Sequence, residues 1–235
     1  MNYKNSIAAL LFFSAISLSA QQILPREGFF PGTMTFTDGH VQECIISAPK
    51  HPGQGTIYYM VSENGKKQKM SSKLLVSITI NTPQGHTYYF DRESTAMRPT
   101  SKHSKPVWLF KIQQGYATLY EYTSAYIIDR KGNAYTVSNS QSFNSFSPGN
   151  TVHINEPAMI YYYIKKKNQP GAYYMGMSNV SRNSLTVGGL SALKKLANWY
   201  LSEDQDLIKE INAGNFKWND IKEVVQEYND FMNKR

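Results

Sequence analysis

At 235 residues, with one cysteine and a formal charge of +8, the chain is long enough to bury one large core or two small ones, and no internal disulfide can staple either. The charge excess is local: between Gln21 and Ser178 there are 16 Lys and Arg against 9 Asp and Glu, whereas from Asn179 onward the counts are 8 and 8. A basic body attracts anions, but no nucleic-acid recognition motif is present, so nucleic acid is not an expected partner.

Lys4 precedes an apolar run from Ile7 to Ile16, and small residues follow at Ser17, Ser19 and Ala20. This is the layout of a secretory signal peptide over residues 1–20, cleaved after Ala20 to leave 215 residues. The run is too short to span a bilayer, and no other stretch approaches about 18 apolar residues, so no transmembrane segment is expected in the mature chain. Export follows, with the periplasm the first choice of location and the extracellular space the alternative. Cys44 does not stand directly after the leader, which argues against a lipid anchor, and its place in a predicted strand marks it as a buried small hydrophobe.

Residues 21–92 read as a first β group. Thr33-Met34-Thr35-Phe36-Thr37 alternates apolar with hydroxyl residues, and Asp38-Gly39 then turns the chain into His40–Ile46, a hairpin signal. Thr56–Ser62 turns through Asn64-Gly65 into Lys66–Met70. Leu74, Val76, Ile78 and Ile80 are expected on one face of the next strand, and His86–Phe90 closes the group. Residues 93–106 lack periodicity and read as a basic loop or linker; with Arg92 before them, Arg98, Lys102 and Lys105 form the candidate anion-binding cluster.

Residues 107–178 form a second β group. Trp108, Phe110 and Ile112 share a face of Val107–Gln113, and strands follow at Ala117–Tyr122, Ala125–Asp129 and Ala134–Ser138. The last hairpin joins Ala158–Ile164 to Ala172–Met177 through Asn168-Gln169-Pro170-Gly171. Residues 179–235 then change to helical spacing and read as a tail packed on the β body. Leu190, Leu193, Ala197, Tyr200 and Leu201 recur every three or four residues. Ser202 with Gln205 predicts a capping box opening a second helix, Gly214 its end, and Asp220 with Glu223 the start of a third. In that third helix Ile221, Val225, Tyr228 and Met232 make a stripe that must be buried. The expected fold is therefore mainly β, an antiparallel barrel or sandwich in one or two strand groups with a C-terminal helical segment, α+β overall.

No pattern for nucleophilic, phosphate-binding or zinc chemistry occurs, and His40, His51, His86, His103 and His153 are scattered. No catalytic residue, metal or cofactor is expected; an enzyme would need carboxylates or histidines brought together only by folding. The compositional oddity is tyrosine, 17 residues with Tyr58-Tyr59, Tyr88-Tyr89, Tyr161-Tyr162-Tyr163 and Tyr173-Tyr174 adjacent. Adjacent residues in a strand point to opposite faces, so each run places rings on both sides of its sheet. The second face must either meet solvent, as a platform for sugars or a protein, or be covered by the helical tail.

The Thr33–Ile46 hairpin, the Leu75–Ile80 strand, Val107–Ile112 and Leu119-Tyr120 resemble uncharacterised secreted β-rich proteins of the Bacteroidetes, as does the tail from Leu207 to Asn229. Family versions often carry a Cys-Pro pair before that leucine; here Asp204-Gln205-Asp206 stands instead. The resemblance implies an exported strand-rich protein and supplies no site residues. The functional expectation is a non-enzymatic binding or structural protein of the cell envelope, the alternative an anionic-glycan or envelope-binding module, and the third an enzyme acting on envelope components. The expected partner is accordingly an anionic envelope polymer or another envelope protein.

Overall fold

The computed structural model describes residues 28–123, 125–128, 132, 134–137, 159–179, 189–217 and 220–235. Residues 1–20, where the sequence predicts a signal peptide, and His153 lie outside them. In chain order the strands are β1 (Phe29–Phe36), β2 (Val41–Ser47), β3 (Thr56–Met60), β4 (Gln68–Ser71), β5 (Leu75–Asn81), β6 (Thr87–Glu93), β7 (Thr95–Ala96), β8 (Val107–Gln113), β9 (Ala117–Tyr122), β10 (Ala125–Ile128), β11 (Ala134–Val137), β12 (Met159–Lys166) and β13 (Ala172–Asn179). Three helices follow: α1 (Gly189–Tyr200), α2 (Gln205–Ala213) and α3 (Ile221–Asn233).

Eleven strands form one sheet in the order β4-β3-β2-β1-β5-β6-β8-β9-β12-β13-β7, and β10 with β11 forms a separate hairpin. All pairs are antiparallel except β13–β7, so the sheet is mixed. The fold is mainly β with three C-terminal helices, an α+β arrangement in which the sheet does not close. Strands of both groups belong to this sheet, joined where Tyr89–Glu93 of β6 pairs with Val107–Lys111 of β8.

Side chains alternate across a strand, and here the alternation separates two faces with different cover. One face carries a first core of Phe30, Met34, Ile46, Ile57, Ile78, Ile80, Phe90 and Trp108. Tyr126 and Ile128 of β10 pack into it. The β2–β3 connection reaches across the same core to β8 and β10. Trp108 N donates to Pro52 O at 2.8 Å, Trp108 Nε1 to Gln54 O at 3.2 Å, and Tyr126 N to Lys50 O at 2.8 Å. This half of the sheet therefore curls toward that face. One sequence expectation needs correcting here. A register irregularity opposite Thr35 and Phe36 places Leu75, not Val76, in the core: Leu75 is buried while Leu74 and Val76 are exposed. The extra residue of a β-bulge reverses the parity of what precedes it.

Farther along, the same face carries a second core, where Ala117, Leu119, Tyr162, Ile164, Tyr173 and Met175 meet the helices. The helical segment contributes Leu193, Ala197 and Tyr200 from α1, Leu201 just after it, Leu207 and Ile211 from α2, and Ile221, Val224, Val225 and Tyr228 from α3. Burying each such apolar side chain contributes about 1.5–3 kcal/mol, which is why the stripe on α3 lies against the sheet. Polar contacts fix its placement. Asn229 Nδ2 donates to Ala117 O at 2.9 Å, and Ala117 N donates to Asn229 Oδ1 at 2.7 Å, so one amide pairs with the strand as another strand would. Gly115 permits this approach, because a Cβ there would collide with the Asn229 amide. Lys166 donates to both oxygens of Glu203 at 2.7 and 2.8 Å, and Tyr228 OH donates to the same carboxylate at 3.0 Å.

The helix ends differ in detail from the sequence reading. Asp204, not Ser202, caps α2, its carboxylate accepting from Leu207 N at 3.0 Å, while Gln205 donates back to Ser202 O. Asp220 precedes α3 but makes no capping bond; its carboxylate accepts from Lys217 N instead. Gly214 does end α2, at φ 87°, a left-handed conformation that glycine adopts without a Cβ penalty. No helix among the described residues is long and apolar enough to cross a membrane.

Candidate functional site: the tyrosine-bearing face

The opposite face has two different halves. Over β1 and β5 it shows Thr33 and Thr35 beside Thr79 and Ser77, all half-buried. Over β8, β9, β12 and β13 it turns inward around Leu109, Tyr120, Tyr163 and Ala172, with Tyr122, Tyr161 and Tyr174 partly buried at the margin. The inward turn is held by β7. That strand follows β6 after the single residue Ser94, yet pairs with β13, the tenth strand of the sheet. Ser94 O accepts from Ala172 N at 2.8 Å, and Ser94 Oγ donates to Pro170 O at 3.3 Å, so the β12–β13 hairpin is tied back to the end of β6. The second half thus curls in the opposite sense to the first, with helices outside and tyrosines inside.

The registers place one residue from each of eight strands in a line across this face: Glu43, Thr33, Thr79, Tyr89, Lys111, Tyr120, Tyr163 and Tyr174. Neighbouring strands are about 4.8 Å apart, so the line runs roughly 30 Å. It begins in solvent and ends among rings. Tyr89 is 41% exposed, Tyr120 only 2%.

Four charged side chains stand on the same face as two close pairs. Lys111 meets Asp91 at 2.8 Å and Lys165 meets Glu93 at 2.6 Å. Tyr120 OH donates to Asp91 at 2.8 Å, and the Lys111 ammonium sits 5.5 Å from the centroid of the Tyr89 ring. Burial raises the Glu93 pKa despite the Lys165 bond and charge that pull it down, and the neighbouring Asp91 adds to the rise. Burial also raises the Tyr120 phenol, with Asp91 adding to it. The rings of Tyr122, Tyr161, Tyr174 and Tyr163 touch in a closed circuit with centroids 5.9–6.4 Å apart. Burial, then the adjoining phenols of Tyr122, Tyr174 and Tyr161, push Tyr163 up to about 12. The Tyr120 and Tyr163 hydroxyls therefore stay protonated at neutral pH.

The basic cluster expected from the sequence is divided between elements. Arg92 stands on β6 opposite Trp108, half-buried, on the face away from Asp91 and Glu93, and burial lowers its pKa. Arg98, Lys102 and Lys105 lie exposed in the loop between β7 and β8, and none makes an ion pair among the described residues. The histidines stay apart: His40 lies against Phe36, His86 against Tyr88 and His103 against Tyr173. Among the described residues no group of three His, Cys, Asp or Glu is placed to hold a metal ion. Cys44 is buried and its thiol is raised to about 11 by that burial.

The sequence reading missed Asp91, Glu93, Lys111 and Lys165. Alternation about the apolar Phe90 and Phe110 marks them as lying off the core face, but which acid meets which lysine depends on strand order. No protein-family model, curated protein or solved structure matches the chain.

Proposed function

We propose that this is an exported, non-enzymatic binding protein of the cell envelope, periplasmic by first choice, whose ligand lies on the tyrosine-bearing face. The observation that carries the reading is the register line from Thr33 to Tyr174, in which half-buried threonines and the exposed Tyr89 ring lead past the Lys111–Asp91 pair to a cluster of buried and partly buried tyrosines. Half-exposed tyrosine offers a flat apolar body and a polar tip on a rigid strand, at low cost in side-chain entropy. The N-terminal Lys4 and Ile7–Ile16 pattern supports export.

Footprinting tests the site. Nitration of the mature protein should modify Tyr89 readily, and envelope extract from the native host should protect it. Modification of Tyr89 at the same rate with and without extract would refute this placement. N-terminal sequencing of protein from the same host should give Gln21; a chain that retains Met1 and stays in the cytoplasm would remove the envelope from the proposal.

A second reading has one observation in its favour. Arg98, Lys102 and Lys105 are exposed on a loop and unpaired among the described residues, as an anion contact requires. Binding of an anionic envelope polymer through this loop should weaken steeply with salt, because exposed charges are screened over about 10 Å at 0.1 M.

A further inference from the structure

We infer that the open edge of the sheet at β4 takes one added strand from a partner protein, and that this strand alternates acidic with apolar residues. The edge is a second site, separate from the Tyr89 line, and neither depends on the other.

The two ends of the eleven-stranded sheet are finished differently. At β7, Ser104 occupies the backbone of Thr95: Ser104 N donates to Thr95 O at 2.7 Å, and Thr95 N donates to Ser104 Oγ at 3.1 Å. At β4 no such cover exists among the described residues. Ser72 N donates to Gly55 O at 3.0 Å, one step beyond the Thr56–Ser71 pair. Antiparallel ladders alternate bonded and unbonded pairs. Gln68 and Met70 therefore bond back to β3, whereas Lys69 and Ser71 turn their N–H and C=O groups outward. An unpaired row of this kind is a template for another strand.

Charge decides which strand. Lys66, Lys67, Lys69 and Lys73 are all exposed, and Glu63 is the one acid between Tyr58 and Lys73. None of the four lysines forms an ion pair among the described residues. The Lys67 ammonium lies 4.2 Å from the Tyr58 ring centroid and 5.4 Å from that of Phe29, and Lys69 is the cross-strand partner of Tyr58. Both lysines thus stand on one side of the edge, while Met70 points to the other, against the first core. A second copy adding its own β4 would set lysine against lysine, and like charges on neighbouring strands are destabilising. A strand with Glu or Asp at alternate positions would instead meet Lys67 and Lys69, and its intervening apolar residues would extend the side that Met70 occupies. Edge lysines keep copies of this chain apart and leave the edge complementary to an acidic strand.

Titration of the mature chain with capped octapeptides, followed by NMR of its backbone amides, tests this. The probes alternate Glu with Val, Lys with Val, or Glu with Pro; the last keeps the charge but cannot form a ladder. Only the Glu-Val peptide should slow hydrogen exchange at the Lys69 and Ser71 amides. Replacing both edge lysines (Lys67→Glu with Lys69→Glu) should weaken its binding about tenfold and make the Lys-Val peptide the better ligand. Ser71→Pro separates backbone pairing from charge. Ser71 has φ −67° and its N–H lies outside the β3 ladder, so proline fits there at the loss of one 3.4 Å bond from Lys73 N. Its melting temperature should hold while affinity for the Glu-Val peptide falls several-fold. Equal binding of the Glu-Val and Glu-Pro peptides would overturn the added strand and reduce the edge to a polyanion contact. Protection of Lys69 and Ser71 that grows with protein concentration, without peptide, would overturn the partner and make a second copy the occupant. Unchanged exchange at both amides with the Glu-Val peptide in large excess would overturn the inference outright.

Discussion

Replacing Asn229 by alanine removes both hydrogen bonds that pair α3 with β9, and the cost follows from what is left behind. Asn229 is 2% exposed and Ala117 is fully buried, so water cannot easily replace the lost partners. Ala117 N would lose its acceptor at 2.7 Å and Ala117 O its donor at 2.9 Å. A buried unsatisfied donor or acceptor costs about 1–3 kcal/mol. Two adjacent ones, partly relieved by relaxation, should cost about 2–4 kcal/mol, a large share of a typical stability of about 5–15 kcal/mol. In urea the midpoint should fall with an unchanged slope, and the melting temperature should drop by about 5–15 °C. Glu227→Ala, an exposed change on the same helix, should stay within about 0.5 kcal/mol. Asn229→Asp sharpens the test. Its carboxylate can accept from Ala117 N but would face Ala117 O when charged, so its folded pKa should be raised. Stability should then be recovered below the ordinary carboxylate pKa and lost as pH rises through the folded one. If Asn229→Ala costs no more than Glu227→Ala, α3 is not fixed by this amide and the account of its docking is wrong.

Two further outcomes follow from buried groups elsewhere. Burial pushes the Glu203 carboxyl up, but the bonds from Lys166 and Tyr228 outweigh it and the net pKa is lowered. Wild type should therefore exceed Glu203→Gln in melting temperature above the unfolded carboxylate pKa and lose that advantage as pH falls through the folded value; parallel curves across pH 3–7 would refute the linkage. With the Cys44 thiol raised to about 11, a thiol reagent at pH 8 should leave native protein unlabelled and label one thiol per chain after denaturation; fast native labelling would show that Cys44 is accessible.

Local periodicity was enough to place most elements, because each strand alternates and each helix has an apolar stripe. Twelve strand segments expected from the sequence lie on observed strands; the omission is β7. Thr95–Ala96 has only two residues, too few for any period to show, and it pairs in parallel with β13 far along the chain. That omission hid the inward turn, since β7 is what ties the far end of the sheet to β6. The bulge beside Leu75 was hidden for a related reason: the choice between Leu75 and Val76 is made by register against β1. The candidate site was legible only in outline. The tyrosine runs placed rings on both faces and left open whether the second meets solvent or is covered; the cover of each face and the pairing of Asp91 with Lys111 depend on strand order, which local pattern does not encode.

The double curl answers the problem that adjacent tyrosines pose. Tyr161-Tyr162-Tyr163 and Tyr173-Tyr174 send rings to both sides of β12 and β13, and the helices can cover one side only. Tyr162 and Tyr173 take that side, where Tyr173 stacks on Tyr200 with centroids 5.3 Å apart. The remaining rings need an apolar environment without a second layer of helices, and the sheet supplies one by folding over itself through β7. A sheet that bends this way at one end while its other half bends the opposite way around Phe30, Phe90 and Trp108 must leave the outside of the first bend uncovered. Threonine and serine occupy that outside, on β1 and β5, where β-branched hydroxyl residues keep strand propensity without presenting an apolar patch. The open hydroxyl surface and the enclosed tyrosines are thus two consequences of one reversal in curvature, and Tyr89 on β6 stands where the first passes into the second.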